Sequence, residues 1–173
     1  MKRKVIIFVA VLAGFWLQYG FLAGIGGGVS SVLVLACMAV WSSSFLRKED
    51  GYLVALFSGI FSELISPYRF GTMIVGFLLA FLAADFLSKK VFANRMLHSY
   101  LLGSFLGILL YFLTLFFSNF LSTFFAAGSS LVPFDFTILD LRRALFWNTI
   151  TLLLAFFVTN AVTKKMHAAF LAR

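Results

Sequence analysis

Six runs of this chain are so long and so apolar that water cannot be their solvent. Residues 5–23, 29–46, 52–66, 70–87, 98–118 and 144–163 hold only two charged side chains among them, Glu63 and Asp85. About 20 apolar residues in helical conformation cross the ~30 Å hydrocarbon core of a bilayer, and most of these runs approach that length. None shows the period-two alternation of outer-membrane strands, so each is expected to be an α-helix whose backbone groups are satisfied within the segment. A mean hydropathy of +1.05 excludes a water-soluble domain. The expected fold is therefore all-α: one polytopic membrane domain, residues 1–173, built as an integral bundle of about six transmembrane helices. The third run is short, since fifteen residues reach only ~22 Å. It is expected either to continue into residues 47–51 or to meet a locally thin bilayer.

Basic residues set the orientation, because short loops rich in Lys and Arg stay cytoplasmic. With the N-terminus inside, the cytoplasmic segments hold eleven of the 14 basic side chains, among them Lys2, Arg3, Lys4, Arg47, Lys48, Lys89, Lys90, Arg95, Lys164, Lys165 and Arg173. The outer side then holds Arg69, Arg142 and Arg143. Both termini of the multi-pass protein are expected in the cytoplasm. The net charge of +8 is this topology signal, scattered in short pieces between spans, and does not form a nucleic-acid-binding surface. The basic start followed by residues 5–17 has the layout of a signal peptide, but the patch at Gly24 to Gly26 is a poor cleavage site and a second apolar run follows at once, so an uncleaved first span is expected. The longest loop, 119–143, is aromatic, breaks at Gly128, Ser129 and Ser130, and is expected on the outer surface, where it either docks a partner or re-enters the membrane.

Small and polar residues fall on helix faces. In the third run Ala55, Ser58, Gly59, Ser62 and Ser66 share one face with Glu63 on its flank. In the fourth Thr72, Gly76, Ala80 and Ala83 do the same, and in the fifth Ser99, Gly103 and Gly107 form a small-xxx-small ridge. Where no hydrophobic force drives helices together, such ridges let backbones approach. The sixth carries Asn148, Thr151, Ala155, Thr159 and Thr163, a stripe suited to interhelical hydrogen bonds or to a ligand cavity. Catalytic candidates are few. His98 and His167 lie at span boundaries outside any metal-ligand spacing, Cys37 is a lone apolar thiol, and the glycines at 24–28 join two spans rather than following a strand. Glu49 and Asp50 are expected in a loop beside Arg47 and Lys48, Asp85 is four residues before Lys89, and Asp135 and Asp140 lie in the outer segment. No cofactor, metal site or enzymatic activity is expected.

Only Glu63 resists this accounting, because a carboxylate in an apolar run is costly unless paired or used. Pro67 ends the third helix and Gly71 eases the start of the fourth, so residues 66–70 are expected to form a tight outer turn. Glu63 would lie one helical turn below it and reach across to cap the fourth helix near Phe70 to Thr72, with help from Arg69.

The pattern Gly59, Glu63, Leu64, Ile65, Ser66, Phe70 and Gly71, with Pro67 and Arg69 in the turn, resembles the signature of the rod-shape-determining MreD family, in which Asp is commoner at the position of Glu63. The basic start, the number of spans and a closing span rich in Trp, Asn and Thr are also similar. The resemblance implies a non-enzymatic inner-membrane subunit of the cell-elongation machinery. It would support cell shape and peptidoglycan synthesis, bound to the bitopic protein MreC and, through the complex, to MreB, RodA and a penicillin-binding transpeptidase. That family is in turn similar to the six-helix substrate-binding subunits of energy-coupling-factor transporters, which implies an alternative: a vitamin-like ligand bound next to a cytoplasmic ATPase, with Glu63, Arg69 and Trp147 as the polar and aromatic candidates. A lipid-transferring enzyme would need His98 inside a cavity.

Overall fold

The computed structural model describes residues 2–25, 32–66, 70–87, 97–125 and 138–171, with side chains at 3–25, 32–66, 70–87, 100–118, 120 and 141–163. The described residues form helices and short connections and no strand. α1, Lys2–Phe15, runs on through a π-helical stretch, Trp16–Leu22, and a last turn, Ala23–Ile25. α2 is Val34–Phe45, α3 Lys48–Glu63, α4 Thr72–Phe86, α5 Leu97–Phe125 and α6 Ile138–Leu171. Three stretches, Arg3–Ile25, Tyr100–Ser118 and Leu141–Thr163, are long and apolar enough to cross a membrane, and α2 and α4 are shorter apolar helices.

Several boundaries differ from the sequence reading. α3 begins at Lys48, so the short third run does continue into residues 47–51. Glu49 and Asp50 are accordingly not in a loop but in the first turn of α3, where the partial positive charge of a helix N-terminus favours acids. Asp50 pairs with Arg3 of α1 at 2.6 Å, not with its sequence neighbours. Much of the expected outer segment 119–143 is also helix, since α5 extends to Phe125 and α6 starts at Ile138. Residues 126–137, with the Gly128 to Ser130 break and Asp135, lie outside the described residues, as do 26–31 and Lys89.

α2 is the centre of the molecule. It packs against α1, α3, α4, α5 and α6, and no residue from Val32 to Leu46 is exposed. Its small residues Ala36, Cys37, Ala39, Ser42 and Ser43 permit this close enclosure. The two serine hydroxyls donate back to the carbonyls of Ala39 and Val40 at 2.7 Å each, so they present no unpaired donor to their neighbours. Around α2 the largest enclosed side chains are Phe77 and Phe81 of α4, Leu35 of α2 itself, Ile108 of α5 and Leu152 of α6.

The predicted ridges lie at these contacts. On α3, Ala55, Ser58, Gly59 and Ser62 are buried, and on α4 so are Thr72, Gly76 and Ala80. Ala84, not the expected Ala83, completes the α4 ridge, because the face continues by four residues from Ala80. Gly103 and Gly107 are buried on α5, while the side chain of Ser99 is outside the described set. A Cβ on Gly107 would stand 2.9 Å from the Ala80 carbonyl oxygen, and one on Gly76 3.2 Å from the Tyr111 ring. α4 and α5 touch at these glycines.

Candidate functional site

The residues singled out by the signature converge on the hairpin of α3 and α4. Gly59 comes first, because a Cβ there would lie 2.6 Å from the Cα of Ile74, closer than any real contact. Only a residue without a side chain lets the two backbones meet. The end of α3 then tightens through Ile65 N–H to Ser62 carbonyl and Ser66 N–H to Glu63 carbonyl, each 3.3 Å. Pro67 and Arg69 lie outside the described residues. Gly71, at φ +94°, supplies the left-handed residue from which α4 departs, and Val75 N–H donates to its carbonyl at 3.0 Å.

Glu63 closes this hairpin. Its Oε2 accepts from the backbone N–H groups of Met73 at 2.9 Å and Ile74 at 3.3 Å. These are among the first-turn donors that a helix leaves without an internal partner, and they are where an anion is favoured. The donors lie one and two residues beyond the expected Phe70 to Thr72, since the close approach at Gly59 brings Ile74 alongside α3. Thr72 instead shares a hydrogen bond with Ser118 of α5 at 2.9 Å. The other oxygen of Glu63, Oε1, is buried without a partner among the described residues, as are the hydroxyls of Ser58 and Ser62 on the preceding turns of α3. At the tip, Leu64, Ile65 and Phe70 are 75%, 50% and 91% exposed.

A second polar junction was not legible from the signature. The buried N-terminus of α2 is capped by side chains from two other helices: Gln18 Oε1 accepts from Leu35 N–H at 2.9 Å, and Asn148 Oδ1 from Leu33 N–H at 2.7 Å. Gln18 stands in the π-helical stretch of α1. Asn148 also takes the Cys37 thiol at 3.3 Å and donates its amide to the Ala144 carbonyl at 2.6 Å. The stripe on α6 is thus used for helix pairing at Asn148 and at Thr159, whose hydroxyl accepts from Trp41 Nε1 at 3.0 Å. Thr151 and Thr163 donate to carbonyls of their own helix. The one signal in the sequence was that Gln18 is the lone amide in an uncharged apolar run.

Among the described residues no group of three His, Cys, Asp or Glu side chains could hold a metal ion. The side chains of His98, His167 and Arg69 are outside that set, and Trp147 is half-buried on α6. At the hairpin a part-buried carboxylate ties two helices together beneath an exposed apolar tip. No family model, no curated protein and no solved structure matches this chain.

Proposed function

We propose that this protein is a non-enzymatic membrane scaffold subunit of a bacterial cell-elongation complex, supporting cell shape and peptidoglycan synthesis through an MreC-like single-span partner and, beyond it, MreB, RodA and a penicillin-binding transpeptidase. The observation that carries this reading is the use to which the signature is put. Gly59, Glu63 and Gly71 each fix the geometry of one hairpin, by close approach, by capping and by a left-handed turn. A motif used this way gives a partner a rigid surface to read, and Leu64, Ile65 and Phe70 stand exposed at its end. The reading places the protein in the inner membrane with six spans and both termini in the cytoplasm, as the eleven-to-three division of basic residues implies.

The competing reading is a small-molecule binding subunit of the energy-coupling-factor type, favoured by the Ser58 and Ser62 hydroxyls and Glu63 Oε1 on one helix, all buried without a partner among the described residues. Affinity purification in mild detergent separates the two. Recovery of an MreC-like protein with elongation enzymes supports the scaffold, whereas a transmembrane coupling protein with two ATPases overturns it.

A further inference from the structure

Hydroxyl groups in this bundle are commonly used by their own helix. Ser42 and Ser43 donate to carbonyls three residues back, and Thr114, Thr149, Thr151 and Thr159 to carbonyls four residues back. Ser58 and Ser62 of α3 do not follow them. They are 0% and 1% exposed, and neither Oγ has a partner among the described residues. A buried hydroxyl left without a hydrogen bond is costly, and native proteins rarely keep one.

The neighbours of α3 show where these two hydroxyls lie. Phe61 turns to α1, with its ring 5.6 Å from that of Phe8 and 5.5 Å from that of Phe15, and Gly59 turns to Ile74 of α4. Between those two directions runs the inner face of α3, made of Gly51, Ala55, Ser58 and Ser62, all buried and spaced by four, three and four residues. At Gly51 this face meets the Ser42 hydroxyl of α2 and the Phe81 ring of α4. Ser58 stands ~10 Å further along the axis, and Ser62 one more turn towards the Glu63 cap. Both serines therefore sit in the seam of α2, α3 and α4, and no side chain on this face of α3 is larger than their own. Their spacing suits one water molecule. Residues four apart on a helix have Cβ atoms ~5–6 Å apart, and a water ~2.8 Å from each of two oxygens spans the same distance. Backbone carbonyls keep a second lone pair, which supplies the third hydrogen bond that a buried water ordinarily makes.

We propose that Ser58 and Ser62 form an internal water site, in which one molecule bridges the two hydroxyls within the α2–α3–α4 seam. The water joins successive turns of α3 and gives the hydroxyls the partner that their own helix does not. The assignment removes Ser58 and Ser62 from the competing small-molecule reading, and it does not depend on the scaffold reading.

Two measurements on the full chain in detergent test this. In the first, Ser58→Cys and Ser62→Cys are irradiated with millisecond X-ray pulses, which make hydroxyl radicals from bound as well as bulk water, and thiol oxidation is read by mass spectrometry. Cys37, buried and bonded to Asn148, is the control within the same chain. The introduced thiols are expected to oxidise several-fold faster than Cys37, and oxidation at the rate of Cys37 overturns the proposal. In the second, thermal unfolding midpoints are compared for Ser58→Ala, Ser62→Ala and the double variant. Each single change is expected to lower the midpoint, and the double to lower it little further, because all three lose the same water. Additive losses overturn the proposal, as do midpoints that stay level or rise, the result expected if the hydroxyls bond to the carbonyls of Val54 and Ser58. Recovery from the denatured protein of a small polar compound that Ser58→Ala does not retain would also overturn it, in favour of a ligand other than water.

Discussion

At the scale of single residues, Glu63 and Asn148 do the same work in different places, each supplying oxygen to backbone N–H groups of another helix. Removing the oxygen leaves buried donors unpaired, at a cost of about 1–3 kcal/mol for each junction. Glu63→Ala is expected to lower the midpoint of thermal unfolding in detergent and to reduce the amount of protein recovered in membranes. Glu63→Gln keeps one acceptor but loses the charge that faces the end of α4, so its midpoint should fall between wild type and Ala. Glu63→Asp keeps the charge, and it should retain the most partner binding of the three. Wild-type stability and partner recovery in the Ala variant would show that the carboxylate neither orders the hairpin nor supports a complex. At the second junction, Gln18→Leu preserves bulk and removes the acceptor for Leu35 N–H. A fall in stability comparable to that of Glu63→Ala is expected, measured by the same unfolding curves.

At the scale of elements, glycines divide into those that bring helices together and those that do not. Gly59→Ala places a methyl against the Ile74 backbone, which cannot move aside as a side-chain end can, and Gly107→Ala meets the Ala80 carbonyl. Each is expected to destabilise the bundle by about 1–3 kcal/mol through overpacking. Gly24→Ala meets nothing within 4 Å and should leave the unfolding midpoint unchanged, a built-in control. Much of this level was legible in the chain, because the spacing of small residues on α3, α4 and α5 marks which faces meet. The Glu63 cap was legible too, from Pro67 and Gly71 on either side of a turn and a carboxylate with no other use. Its register was not, since the donors it reaches depend on how far α4 slides along α3, and that is set by the fit at Gly59. Nor was the cap on α2, because Gln18, Leu33 and Asn148 meet only through the packing of three helices. The pairing of Asp50 with Arg3 escaped for the same reason. Sequence neighbours suggested a local partner, and the packing of α1 against α3 supplied a distant one.

At the scale of the whole molecule, the proposed topology can be checked directly. Cytoplasmic reporters fused at both ends and at residues 47–51 and 89–95 should be active, and exported reporters should be active at 24–28, 66–70 and 129–133. Termini on opposite sides would overturn it. The enclosure of α2 has a further consequence, which concerns the order in which the protein can be made. α2 emerges early, yet it has 12 residues and an N-terminus whose Leu33 amide waits for Asn148, 115 residues later in the chain. At ordinary synthesis rates of about 5–20 residues per second, that partner arrives on the order of ten seconds afterwards. Until then the Leu33 amide lacks its cap. Nascent chains stalled before residue 148 should therefore remain associated with the insertion apparatus or be degraded, and the bundle should close only once its last helix has entered.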